Sequence, residues 1–231
     1  MIEPILDEWR YEIKLSVPEF VLPLVKSIIQ VNENAFSTSY PPRVVNNLYF
    51  DTYNMQSLED SYEGVNERQK VRLRWYDNNE LSTDKVFEIK RKKNNLNSKI
   101  KFHIPQAIDL LAGDTWPVVM SRLLNWLPIN IRHQIGPDCM PVLINKYDRE
   151  YFEDPTGKLR VTIDSAQNVY DQRFCAIPNL YRSAFRNPDA VIEIKGPPDS
   201  YEKIKQVSSE LPIRVSRNSK YSLGYEAIEF R

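Results

Sequence analysis

Glycine is scarce in this chain: there are six in 231 residues, and none falls in a Gly-x-x-x-x-Gly-Lys-Ser/Thr loop or a Gly-x-Gly-x-x-Gly fingerprint. Such loops hold phosphate through backbone N–H groups, so that route to a phosphate site has little room here. Histidine is scarcer still. His103 and His133 lie far apart without metal-ligand spacing, and no Ser-His-Asp arrangement can be argued. Cys139 and Cys175 also lack ligand spacing, and the expectation is two free thiols in a reducing cytosol. No stretch approaches the apolar length of a membrane span, and Met1 to Glu8 lacks the basic and apolar segments of a signal peptide. A cytoplasmic chain with no membrane segment of its own is expected. A basic excess is missing too, since 31 Lys and Arg balance 31 Asp and Glu. General nucleic-acid binders carry such an excess, so no nucleic-acid partner is expected, and any anion site must concentrate its cations locally.

What the chain does have is core material and a repeated strand pattern. Hydrophobic residues make up 42% and aromatics 11%. The length suits a single domain over residues 1–231, without linker, low-complexity tract or internal repeat. Val71 to Tyr76 alternates apolar residues with Arg72 and Arg74. Phe87-Glu88-Ile89-Lys90, Lys99 to His103, Lys158 to Asp164 and Ile192-Glu193-Ile194-Lys195 follow the same rule. Period-two alternation means strands with one apolar and one polar face. Water makes no demand on a polar face, yet here the same few charged types recur from strand to strand.

Between these runs the pattern predicts further elements. Arg10 to Val17 alternates as a strand, and Pro18 opens a helix whose core-facing stripe is Phe20, Val21, Leu24, Val25, Ile28 and Ile29. Val44 to Asp51 reads as a strand, and Asp51 to Asn66 as a polar, irregular link. Asp77-Asn78-Asn79 and Asn94-Asn95 mark turns. Pro105 to His133 reads as helical, broken at Pro117 and Pro128, with Ile108, Leu111, Val119, Leu123 and Leu124 buried. Val142 to Phe152 pairs with Leu159 to Asp164 across Asp154-Pro155-Thr156-Gly157. Gln167 to Asp189 is mostly irregular, Val191 to Lys195 is a strand, and a helix starts at Asp199.

At least eight strands admit an open sheet, a sandwich or a closed barrel, and the helices are too few for a doubly wound parallel sheet. The apolar helical segments need sheet surface to bury against. That favours apolar faces turned outward under helices and charged faces lining a tunnel. Without a glycine loop, a phosphate site there must be a side-chain grip: Arg forks phosphate oxygens and Lys supplies point charge. The interleaved glutamates either hold a divalent cation or keep the cations extended, with the second role favoured for Glu12 and Glu88. His103 shares the charged face of its strand and is either a ligand contact or a plain polar-face histidine.

At these residues the chain resembles the catalytic domain of the vacuolar transporter chaperone (VTC) polyphosphate polymerases, in the triphosphate tunnel metalloenzyme superfamily. The resemblance runs from about Tyr11 to Gly224 in family order. It comprises Arg10-Tyr11-Glu12-Ile13-Lys14, Leu48-Tyr49-Phe50-Asp51-Thr52, Lys70-Val71-Arg72-Leu73-Arg74-Trp75-Tyr76, Phe87-Glu88-Ile89-Lys90 and Ser98-Lys99. Tyr147-Asp148-Arg149, Leu159 to Asp164, Val191 to Lys195 and Ser219-Lys220-Tyr221 with Gly224 complete it. The resemblance implies an α+β fold: an eight-stranded antiparallel β-barrel tunnel with helices packed on the outside. It implies phosphate contacts from Lys14, Arg72, Arg74, Lys90, Arg149, Arg160, Ser219 and Lys220, with Tyr49 on the substrate strand. Either Lys99 or Lys101 fills a further phosphate role. Glu193 would hold Mn2+ or Mg2+, and Lys195 would balance its strand's charge. ATP and inorganic polyphosphate are the implied partners, and a separate membrane partner is left open.

The implied reaction is transfer of the terminal phosphoryl group of ATP to phosphate or a growing polyphosphate chain. A triphosphate hydrolase of the same superfamily is the rival enzyme. Hydrolases of this kind carry Glu-x-Glu-x-Lys on the opening strand for their metals, whereas this chain has Arg10-x-Glu12-x-Lys14. A non-catalytic polyanion-binding module is the rival of another class; it would keep the cations but tolerate loss of Glu193.

Overall fold

A computed structural model of the chain describes residues 2–78, 84–106, 108–213, 215 and 219–230. Its strands are β1 (Ile5–Leu6), β2 (Arg10–Pro18), β3 (Ser37–Asp51), β4 (Glu67–Tyr76), β5 (Lys85–Lys93), β6 (Leu96–Ile104), β7 (Met140–Glu153), β8 (Arg160–Asp171), β9 (Phe185–Arg186) and β10 (Asp189–Gly196). The helices are α1 (Leu22–Val31), α2 (Gln56–Glu63), α3 (Trp116–Trp126), α4 (Ile129–Ile135), α5 (Tyr201–Glu210) and α6 (Lys220–Glu229). Eight strands pair in the order β6-β2-β10-β8-β7-β3-β4-β5, and β5 pairs back onto β6, so the sheet closes on itself as an antiparallel ring. β1 adds to β6 and β9 to β8.

Alternation decides which side of the ring is apolar. Leu48, Val71, Leu73, Trp75, Phe87, Ile89 and Phe102 are buried in one cluster with Trp116, Val119 and Leu123 of α3 and Ile131 and Ile135 of α4. Leu15, Val17, Val161, Ile163, Ile192 and Ile194 are buried with Val25 and Ile29 of α1 and Ile204 and Val207 of α5. These helices cover the outside of the ring, which leaves the charged face inside.

α6 is placed differently. Leu143, Tyr49 and Arg72 are direct partners across β7, β3 and β4, so they share the inner face. Tyr49, Leu143 and Val169 cluster with Tyr221 and Ile228 of α6 and Leu58 of α2. α6 therefore packs against the inner face at one end of the ring. A Cβ at Gly224 would stand 3.2 Å from Leu143 Cδ2, so glycine here lets the helix lie close to the strand.

Several elements differ from the sequence reading. β3 begins at Ser37 rather than Val44, and its first half runs through irregular register at Thr38, Tyr40 and Arg43 that blurs the alternation. The link from Asp51 to Asn66 contains α2. Helix begins only at Trp116, with Pro117 in its first turn rather than at a break, because proline suits that position. Phe20 and Leu24 are 84% and 53% exposed; Glu19–Val21 forms a separate short turn that rotates Phe20 out of the α1 stripe. Leu111 is exposed as well. β8 continues to Asp171 through a bulge at Ala166, whose φ of 52° breaks the pattern read from sequence. Asp77 and Asn94 turn with positive φ as their residue type allows; Asn79 lies outside the described residues. Cys139 and Cys175 are both free thiols.

Candidate phosphate-binding site inside the ring

Strand pairing sets the predicted residues in rows. Lys14 stands opposite Glu193 and Glu12 opposite Lys195, a checkerboard of charge across β2 and β10. Lys14 Nζ lies 3.0 Å from Glu12 and 3.3 Å from Glu193. Lys195 Nζ is 2.5 Å from Glu193 and 3.9 Å from Glu12. Lys90 reaches across β6 to Glu12 at 3.3 Å.

A second group joins β3, β4 and β5. Arg72 Nε donates to Glu88 Oε2 at 2.7 Å, and its Nη1 reaches the Tyr49 hydroxyl at 3.4 Å. Arg74 Nε donates to Asn47 Oδ1 at 2.8 Å, and its Nη1 lies 3.9 Å from Glu88. In the third group Arg149 forks Asp164 through Nε and Nη2 at 2.5 and 2.6 Å. Lys220, at the start of α6, bridges Asp164 at 2.6 Å and Glu193 at 3.0 Å, and Arg149 Nη2 stands 3.6 Å from Glu193. Ser219 caps α6 by accepting from Ser222 N–H, and accepts from Lys70 Nζ at 2.7 Å.

The carboxylates act as struts for the arginines and lysines. Burial alone would raise the Glu12 carboxyl, but Lys14, Lys90 and Lys195 hold it well below the usual range. The same contest at Glu193 is won by Lys195, Lys220, Lys14 and Arg149, and at Glu88 by Arg72 and Arg74. All three are ionised near neutral pH. Lys14 shows the reverse: burial pulls it down, and Glu12 and Glu193 raise it above its ordinary value.

Cations nevertheless exceed carboxylates along one row. Lys70, Lys90 and Lys99 stand directly opposite one another on β4, β5 and β6. Burial and the charges of Lys14 and Lys90 push Lys70 down to about 7. Burial, with Lys14 and Lys195 against the pull of Glu12, brings Lys90 to about 7. Burial, with Arg74, Arg72 and Lys195 opposing Glu88, holds Lys99 well below the lysine range. Three adjacent lysines short of negative charge form a site for an anion bearing several charges.

Sequence reasoning left Lys99 and Lys101 open. Lys101 is paired with Asp7 at 2.6 Å, whereas Lys99, 4.0 Å from it, is the more weakly paired of the two. Arg160 lies in the row of Lys195 and Glu12 but folds onto Glu153, away from the central groups. His103 is exposed at the end of β6, in the Arg74 row. Lys70, Asp164, Asn47 and Tyr147 are the residues missed. Lys70-x-Arg72-x-Arg74 carried the signal for the first, since period two puts all three on one face. Tyr147 and Asp164 lay inside quoted motifs, at period two from Arg149 and Arg160, but their roles depend on partners on other elements; Asn47 carried no such signal.

Among the described residues no group of three or more His, Cys, Asp and Glu is placed to hold a metal. Glu193 is a single hard oxygen donor of the type a divalent cation takes, and its carboxylate here faces Lys14, Lys195, Lys220 and Arg149. No helix among the described residues is long and apolar enough to cross a membrane.

A family model described as the VTC domain matches residues 9–229. None of the curated proteins matches the chain in sequence. Among solved structures, the fold is similar to an adenylyl cyclase candidate of Hippeastrum described as having a dominant triphosphatase activity, with TM-score 0.54 and 19% identity over 94% of this chain and 95% of that one. It is also similar to the PH1819 protein of Pyrococcus horikoshii OT3, with TM-score 0.53 and 16% identity over 94% and 98% of the two chains. An adenylate cyclase candidate of Vibrio parahaemolyticus gives TM-score 0.53 and 10% identity over 95% and 98%. At these identities the likeness is one of fold alone.

Proposed function

This chain belongs to the VTC domain family, and from that premise we propose that residues 1–231 form one tunnel domain acting as an ATP-dependent polyphosphate polymerase. The observation that carries the reading is the row of Lys70, Lys90 and Lys99 beside Arg72, Arg74, Arg149 and Lys220: basic side chains gathered on the inner face of a closed ring. Arg72, Arg74 and Arg149 orient the triphosphate through the N–H groups their struts leave free, and the lysines neutralise it. Glu12, Glu88 and Asp164 keep those side chains extended before substrate arrives, so little reorganisation remains at the reaction step. The bond from the β–γ bridging oxygen to the terminal phosphorus breaks, an oxygen of phosphate or of the chain end forms the new bond, and ADP leaves with the electron pair. The acceptor is already an anion, so no strong general base is needed, and catalysis is positioning plus charge stabilisation. Glu193 is the residue that would hold Mn2+ or Mg2+; when bound, the cation supplies charge neutralisation across the phosphate oxygens. Arg10 in place of a first metal-binding glutamate favours transfer over hydrolysis, because it removes a carboxylate and adds a positive charge.

The test is to incubate the purified protein with ATP and Mn2+ and to run the products on a polyphosphate gel. A ladder of long chains is expected, lost in Arg74→Ala and in Glu193→Ala. Free phosphate without chains would overturn the polymerase in favour of a triphosphatase, and binding without turnover would leave a polyanion-binding module.

A further inference from the structure

The ring's inner face changes character beyond Arg74 and Arg149. β4 ends at Tyr76, two residues past Arg74, and β7 carries Tyr151 two residues past Arg149. Two residues along a strand return to the same face about 7 Å further on. β3 brings Arg43 directly opposite Arg149 and Tyr40 opposite Tyr151. The Arg43 guanidinium lies 4.8 Å from the Tyr76 ring centre, 5.0 Å from that of Tyr151 and 5.5 Å from that of Tyr40. Tyr151 meets Tyr40 nearly edge-on at 5.7 Å. The Nε of Arg43 is buried without a hydrogen-bond partner, whereas Tyr40 is 46% exposed.

We propose that Arg43 and these three tyrosines form the subsite for the base of a nucleoside triphosphate, at the opposite end of the site from the Lys70, Lys90 and Lys99 row. The inference rests on the triphosphate reading above and adds a direction to it. Phosphate oxygens are served by the lysines and by arginines further in, whose guanidinium groups are already held by Glu88, Asn47 and Asp164. The Arg43 cluster offers flat faces to a heteroaromatic ring, because tyrosine rings and a guanidinium plane both stack on a base, and they do so one strand repeat from the phosphate-gripping arginines. The orphaned Nε–H of Arg43 is a donor awaiting an acceptor, and a base or ribose supplies several. A phosphate chain alone would not need tyrosines here. The nucleoside therefore sits at the Tyr76 end, with its phosphates running inward toward the lysine row.

The test compares ATP with inorganic tripolyphosphate by direct binding to the wild-type chain, Tyr40→Ala and Arg43→Lys. Tyr40 is half exposed, so its truncation spares the fold, and Arg43→Lys keeps the charge while removing the planar fork. Each variant is expected to weaken ATP about tenfold, the value of one lost stacking contact, and to leave tripolyphosphate within about twofold. Equal losses for both ligands, or no loss for ATP, would overturn the base subsite. A wild-type chain that binds tripolyphosphate but not ATP would also overturn it while sparing the triphosphate grip. A wild-type chain that binds neither would overturn both.

Discussion

Burial above all, with neighbouring lysine charges second, brings Lys70 and Lys90 to about 7. Each is charged below that value and loses its proton as pH rises through it. On the proposed reading, a triphosphate bound beside them would add negative charge and raise their affinity for protons. Binding above pH 7 must then take up protons, so affinity is greatest below about 7 and falls as pH rises. For ATP, whose own charge is constant at alkaline pH, the dissociation constant should rise at least about tenfold between pH 7.5 and 9.5. Calorimetry in two buffers of different ionisation enthalpy should register proton uptake; a flat profile or proton release would show that these lysines already carry full charge in the free protein. Residues on one strand, such as Lys70, Arg72 and Arg74, could be placed on a common face from spacing alone. Asp164 could not be picked out as a strut: its partners Arg149 and Lys220 belong to β7 and to α6.

Asp51 joins three elements. It ends β3, its Oδ1 accepts from the N–H groups of Thr52 and Ser57, and its Oδ2 accepts from Leu58 N–H at 3.1 Å and from the Tyr221 hydroxyl at 2.6 Å. It thereby caps α2, whose own N-cap residue, Met55, provides no side-chain bond. It also pins α6 over the end of the ring, where Tyr221 stacks on Tyr49 at 5.2 Å. Tyr221→Phe removes one charge-assisted hydrogen bond and should cost about 1–2 kcal/mol. Asp51→Ala strips the cap as well and should cost more, about 2–4 kcal/mol. At about 2–4 °C per kcal/mol for a chain of this size, scanning calorimetry can rank them; equal losses would mean that Asp51 does not hold α2. The strands of the ring were legible because alternation is a local signal. α2 and α6 were not, since α2 is short and polar, and α6 buries a mixed face, Lys220, Ser222 and Gly224 beside Tyr221 and Ile228, rather than an apolar stripe.

The ring is closed unevenly. β2 and β6 share two residue pairs, Arg10 with Asn97 and Tyr11 with Leu96, whereas β7 pairs with β3 over most of its length. Beyond Tyr11, β2 keeps its pairing with β10 on the other edge but loses β6, and inside the ring Lys90 reaches Glu12 across that side. Among the described residues this seam is the shortest of the eight pairings that close the ring, and it is the first of them expected to open. Lys90 and Lys99 stand on one side of it, and Lys14 and Lys195 on the other. A polyanion touching both sides replaces repulsion among these cations with attraction across the seam. Tripolyphosphate at about 100 times its dissociation constant should stabilise the fold by about 2.7 kcal/mol, a rise of about 5–10 °C in Tm. The gain should shrink in high salt, because both partners are then screened. Hydrogen exchange locates the effect: the amides of Arg10–Ser16 and Leu96–Lys101 should gain the most protection. A Tm rise with protection gained only at β3 and β7 would place the anion against the wall opposite the seam and refute the stitched ring.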